Sequence, residues 1–325
     1  MKQPSKANHR PMFMNILNGD FRHFGAAIGA AITLGIGCSN AQSVFSDSFA
    51  STTGASFTTT AGAIGTSATW SLASSGADWG AKIDGGQLTL TNDAGAAPNV
   101  NGWAFGYTAT ASISAPYAAT LNTNTSTVNW SFNMQQVRLD PAGFGIGVYG
   151  AAFVLGATST TPSNSGDGYA IVLGQSGVTD PIRLVSFSGG LQNSSNLTNI
   201  ISASPTLSDV GADFLSIGVS YNPTTNGWSL LGRNDGSSAF ADPTSGVLSA
   251  LGSATNSTYT GTSLGFLGGY WQGSTLASQT AQFDNVSVTL TPVPEPAALL
   301  TSVVLASTAL FRRRRAKSCL ECPRW

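Results

Sequence analysis

Between residues 42 and 291 the sequence holds no histidine, no cysteine and no glutamate. The histidines are His9 and His23, the cysteines Cys38, Cys319 and Cys322, and the glutamates Glu295 and Glu321. Each absence removes a chemistry from this interval. Without cysteine or histidine there is no thiol nucleophile, no Ser-His-Asp triad and no His-based zinc site. Charge is scarce as well: 9% of the 325 residues are Asp, Glu, Lys or Arg, against about a quarter in an ordinary soluble domain. That excludes a coiled coil built on Glu/Lys heptads and a basic nucleic-acid-binding surface. No internal repeat is present, and no long stretch of the interval combines a 3.6-residue period with helix formers.

What is there is glycine (38 residues) and a hydrophobic fraction of 42%, with serine, threonine, alanine and asparagine filling the deficit of charge. The formal net charge of −1 hides a segregation. Lys82, Arg138, Arg183 and Arg233 face twelve aspartates within 42–291, a net of −8. The basic residues cluster instead at the two ends, each beside an apolar run.

Residues 1–41 read as a secretory signal peptide. A basic region extends to Arg22, an apolar run of 14 residues spans Phe24 to Gly37, and Ser39 and Ala41 supply the small residues that precede cleavage between Ala41 and Gln42. Fourteen residues are too few for a helix to cross a hydrocarbon core of about 30 Å. A lipoprotein signal using Cys38 is the alternative, although Gly35 stands where a larger aliphatic residue is wanted. Met12 and Met14 are alternative starts. At the other end, Val293-Pro294-Glu295-Pro296 precedes an apolar run, 297–311, and then Arg312, Arg313, Arg314 and Arg315. As a helix, the run is about 22 Å long. Snorkelling arginines extend its reach, and their position puts the tail in the cytoplasm and the large domain outside. Residues 316–325 form a tail whose Cys319-Leu320-Glu321-Cys322 has only two thiols, too few for a zinc site, and is expected to be unstructured.

The box, short span and arginine cluster at 292–315 resemble the PEP-CTERM sorting signal of Gram-negative bacteria. The resemblance implies recognition of Pro294, Glu295 and Pro296 by an exosortase, a membrane transpeptidase-like protease. It makes Arg312 to Arg315 the stop signal, and it implies an association with extracellular polysaccharide. The ten residues after the cluster depart from the pattern.

Period-two alternation marks the interval 42–291 as one all-β domain. Val128, Trp130, Phe132 and Met134 point one way, as do Leu215, Ile217, Val219 and Tyr221, and again Val286, Val288 and Leu290, with polar residues between. Shorter runs are 87–91, 169–173, 182–187 and 228–231. Turn residues separate them, Asn226-Gly227 giving the best hairpin signal. Antiparallel strands with one polar face bury the other, so the expectation is a two-sheet antiparallel β-sandwich flanked by an N-terminal signal helix and a short C-terminal transmembrane helix. The pieces 45–49, 85–90, 168–173, 182–184 with Gly189-Gly190, and 283–288 resemble, in order and spacing, the concanavalin A-like (laminin G-type) jelly roll. Glycoside hydrolases of that superfamily typically use two glutamates, and its polysaccharide lyases generally need a histidine; neither is available here.

The expected function is therefore non-catalytic: an exported, envelope-sorted protein for adhesion or glycan binding. The alternatives are an enzyme using paired aspartates, for which Asp209 and Asp213 are the nearest in sequence, and a purely structural surface protein. No cofactor is expected. A Ca²⁺ site would draw on Asp167 and Asp235, but the ligand spacing of known loops is missing, and turn roles fit these residues better. Trp130 and Trp228 are expected in the core. Trp103 through Tyr107 and Tyr270-Trp271 are flanked by Gly, Asn and Gln, which lets one ring of each group face solvent as a platform for a sugar face, with Trp103, Tyr270 and Trp271 as the candidates; for any one tryptophan, packing at the sandwich rim is the preferred reading.

Overall fold

A computed structural model of the chain describes residues 40–95, 100–274 and 279–293. The signal run, the Pro294-Glu295-Pro296 box, Arg312 to Arg315 and the cysteine-containing tail lie outside the described residues. Among the described residues no helix is long and apolar enough to cross a membrane.

Among the described residues, sixteen strands are connected by loops and three short 3₁₀ turns. They are β1 (Gln42–Asp47), β2 (Gly62–Ala63), β3 (Ser71–Ser75), β4 (Gly80–Asp84), β5 (Gln87–Thr91), β6 (Gly102–Ala109), β7 (Ser126–Gln136) and β8 (Gly150–Ala157), followed by β9 (Asp167–Leu173), β10 (Arg183–Ser188), β11 (Leu197–Ser202), β12 (Phe214–Asn222), β13 (Gly227–Gly236), β14 (Ser249–Thr255), β15 (Phe266–Gly273) and β16 (Thr280–Pro292). They form two eight-stranded antiparallel sheets. Sheet I has the order β14-β13-β12-β7-β16-β5-β4, and β1 also pairs with β16. Sheet II has the order β11-β10-β9-β8-β15-β6-β3-β2. Strand β16 is long enough to take two partners on one flank: β5 along Thr280–Phe283 and β1 along Val286–Leu290.

The alternating runs make sheet I. The inward residues of β7, β12 and β16 named above are all buried in one cluster between the sheets. Trp130 and Trp228 stack there at 5.9 Å, and Phe132 of sheet I meets Phe153 of sheet II at 3.9 Å. The Asn226-Gly227 signal is the β12–β13 hairpin, with Asn226 at φ 51°, a left-handed conformation that Asn tolerates.

Sheet II follows a different rule. Its central strands are buried on both faces: Phe153, Ile171 and Leu184 point into the inter-sheet core, while Val154, Val172 and Val185 join a second cluster on the outer face. Phe144 and Leu191, from loops, belong to that second cluster and cover it. The cover is pinned by Gln272, whose Nε2–H donates to the carbonyls of Gly145 (3.0 Å) and Val148 (3.3 Å). Strands buried on both faces lose alternation and become near-continuous apolar runs.

Candidate functional site

A groove of about 730 Å³ opens where β1 ends. Its walls are the segments 46–53, 66–70 and 285–287, closed on one side by Asp242 and Thr244. Two local features shape it. In β16 the register with β7 slips between Asp284 and Ser287, a bulge that puts Asn285 at φ 50° and turns its side chain to donate to Asn133 Oδ1 (2.8 Å). After β1, Phe49 also stands at φ 50°. An aromatic residue there is an outlier that the surroundings must hold in place. Asp47 does so: its Oδ1 accepts the Phe49 N–H (2.8 Å) and its Oδ2 accepts Trp70 Nε1–H (2.8 Å), while the Phe49 ring packs on Trp70 at 4.9 Å.

The Asp242 wall is a long loop after β13 that folds back over the outer face of sheet I. Asp235, with a side chain 1% exposed, pairs with Arg233 (2.7 Å) and accepts from Ser216 Oγ (2.7 Å) and the Ala241 N–H (3.1 Å). Arg233 also donates to the carbonyls of Asp242 (3.2 Å) and Ser245. Asn133 Nδ2 donates to the Ala241 carbonyl (2.9 Å). This polar anchorage carries Asp242 and Thr244 across β12 and β7 to the bulge of β16.

Ionisation in and near the groove is uneven. Hydrogen bonds from Thr244 hold the Asp242 carboxyl below its ordinary value. Asp284 sits just behind Asn285, and burial pushes its carboxyl up to about 6; the negative charge of Asp47 adds to the rise and the Asn285 N–H opposes it. Thr53 Oγ1, at the groove wall, is buried without a hydrogen-bond partner. Hydroxyls, an amide and carboxylates with spare lone pairs thus converge on one cleft without a cation. Such a lining suits a neutral ligand carrying many hydroxyls.

The aromatic residues singled out in the sequence lie elsewhere: Trp103, Tyr270 and Trp271 are all buried and none is a surface platform, and in the segment from Trp103 to Tyr107 the one partly exposed ring is Tyr107. Trp271 is 0% exposed in the inter-sheet core, tilted against Tyr149. Trp103 (5%) and Tyr270 (0%) stack on each other in the outer cluster of sheet II. For Trp103 and Tyr270 the physical reason is the loop cover: Gln272, whose polarity suggested a surface, spends its amide on loop carbonyls and accepts from Tyr270 (2.7 Å). Ala41 and Gln42 are exposed at the entry to β1.

The aspartates weighed as metal donors are engaged in the fold. Asp167 Oδ1 accepts the Gly189 N–H of a turn (3.1 Å), and Asp235 anchors the loop just described. Among the described residues no group of three or more His, Cys, Asp or Glu is placed to hold a metal ion. Asp213 accepts from Asn234 (2.7 Å), and Asp209 from the Asp180 N–H (3.2 Å). Besides Asp47 and Asp284, carboxylates come together at Asp140, Asp180 and Asp209, from three separate loops; burial and then these neighbours raise Asp180. Their spacing in sequence gives no hint of it.

No family model matches the chain, and no curated protein matches it in sequence. Solved structures do match. Arcelin-5, a lectin-like defence protein from Phaseolus vulgaris, is 15% identical with a TM-score of 0.39 over 68% of this chain and 93% of its own. The Lotus tetragonolobus seed lectin is 13% identical with a TM-score of 0.44, over 69% and 94%. A legume lectin-like domain from Entamoeba histolytica is 7% identical with a TM-score of 0.42, over 68% and 89%. The chain is an all-β sandwich of two antiparallel sheets, and the solved structures it is similar to are legume-lectin-like.

Proposed function

We propose that this is an exported cell-envelope protein whose sandwich binds a neutral glycan in the groove between β1, the β16 bulge and the Asp242 loop, without catalysing a reaction. The observation that carries the reading is the groove's chemistry. A sugar presents adjacent hydroxyls, and carboxylates, amides and Ser/Thr hydroxyls bind them by accepting and donating in turn. With Asp47 and Asp242 in the lining and no Lys or Arg, acidic glycans are disfavoured. Export by residues 1–41 and sorting by an exosortase acting on Pro294-Glu295-Pro296 belong to the same reading and rest on the sequence pattern at the two ends.

The test is calorimetric titration with neutral and acidic bacterial polysaccharides. Neutral polymers are expected to bind, and Asp242→Ala or Asn285→Ala to weaken them tenfold or more. Depolymerisation of any polymer would make the protein an enzyme, and silence across a broad glycan array would leave a structural role.

A further inference from the structure

We infer that the groove is one end of a longer track, and that the track takes an internal segment of an extended neutral glycan chain laid across the strands of sheet I. This rests on the glycan reading of the groove and specifies its ligand further. The cross-strand register supplies the first observation. Ser253 pairs with Ser229, Ser229 with Ser220, Ser220 with Asn129, Asn129 with Thr289, and Thr289 with Ser43. One small neutral hydroxyl or amide residue therefore stands at each of six successive strands, on the outer face and at least partly open to solvent. With strands about 4.8 Å apart, this rung spans about 24 Å. A second rung runs beside it through Ser46, Ser287 and Ser131 to Gly218 and Leu231, and its Ser46 and Ser287 are themselves walls of the groove.

At the far end of the first rung lies a separate shallow cavity of about 480 Å³, lined by Ser220, Ser229 and Ser253 with the tip of the β12–β13 hairpin. At Ser46, Ser287, Asp242 and Thr244 the groove opens onto the face of sheet I that carries this cavity, and the rungs join them. No ionisable side chain belongs to either rung. The returning loop provides the border: a Cβ on Gly218 would meet Leu248 Cδ1 at 3.0 Å, which places Leu248 over the second rung beside Leu231, itself 37% exposed. A floor of hydroxyls edged by leucine matches a pyranose chain, whose hydroxyls point outward around an apolar ring face. A charged polymer would lie over a face that offers no counter-charge along the rungs, and a single sugar would use only the groove.

The experiment compares dimers and hexamers of three neutral linear series, cello-, xylo- and mannooligosaccharides, by calorimetry on the full chain. At least one hexamer is expected to bind tenfold or more tightly than its dimer. Ser253→Arg, at an exposed position on the edge strand, should weaken that hexamer several-fold and leave the dimer unchanged; Ser229→Gln should act in the same direction. An unchanged melting temperature identifies the variants as folded. Equal affinity for dimer and hexamer, or hexamer binding indifferent to both substitutions, overturns the track while the groove reading stands. If none of the oligosaccharides binds the wild-type chain, both readings fall.

Discussion

Replacing Asp284 by Asn should stabilise the protein at neutral pH and have no effect in acid. The carboxyl lies behind the β16 bulge, where burial and then the charge of Asp47 raise it from 3.8 to about 6. In the unfolded chain it returns to the ordinary value, so the folded state binds this proton more tightly. The associated stabilisation is full below about pH 4 and is lost as pH rises through about 6. A rise of that size corresponds to about 3 kcal/mol. Asp284 is partly exposed, and solvent screening reduces the expected effect to about 1–2 kcal/mol. Asn keeps an oxygen for the Asn285 N–H, which donates to Asp284 Oδ1 at 2.6 Å, so the bulge survives the change. The assay is urea unfolding of both proteins from pH 4 to pH 8, reading the difference between them because other carboxylates, Asp242 among them, titrate in the opposite sense. The difference should be near zero at pH 4 and grow to its plateau by pH 7. A difference constant across that range would refute the buried, raised carboxyl.

Trp130→Ala should cost about 3–5 kcal/mol by removing a large ring from the core. Trp130→Phe should cost much less, because the Trp130 Nε1–H is buried with no partner to lose; chemical denaturation measures both. Asp235→Ala should cost about 3 kcal/mol by leaving Arg233 unpaired, and proteolysis should then cut the released loop near 237–246. N-terminal sequencing of exported protein should start at Gln42, and a lipid-modified Cys38 would contradict this. In a host with the sorting enzyme, Glu295→Ala with Pro296→Ala should leave the full-length chain in the membrane, as read by mass spectrometry, and an intact tail in wild type as well would remove the sorting proposal.

Sheet I was legible in the sequence and sheet II only partly so. Strands β7, β12 and β16 have one polar face, and period-two alternation records it. Strands β8 and β15 have none: Gly150–Ala157 is buried at every position, and Phe266–Gly273 at all but Phe266. The second apolar layer that covers them is made of loops whose return is a tertiary event. The same layer makes Trp103 and Tyr270 interior rings, whereas Trp271 points the other way, into the inter-sheet core. The groove was invisible for a related reason. Its walls come from residues 46–53, 66–70, 242–244 and 285–287, and no local spacing links them. The one local signal was the alternation broken at Asp284-Asn285, where the bulge interrupts the pattern of β16.

The position of β16 in sheet I bears on how the chain reaches its fold. The last of the described strands to be made is an inner strand: it pairs with β7 on one flank and with β5 and β1 on the other. Until Thr280–Pro292 arrives, sheet I consists of three unjoined pieces, β14-β13-β12-β7, β5-β4 and β1 alone, and β7, β5 and β1 present open edges. The contacts that join them span nearly the whole domain, Gln42 meeting Leu290, so the entropy of closing that loop must be met before any pairing returns it. The described domain therefore completes sheet I only after nearly all of it has emerged, so on the proposed export route, amino end first, its final pairing would come late in the passage.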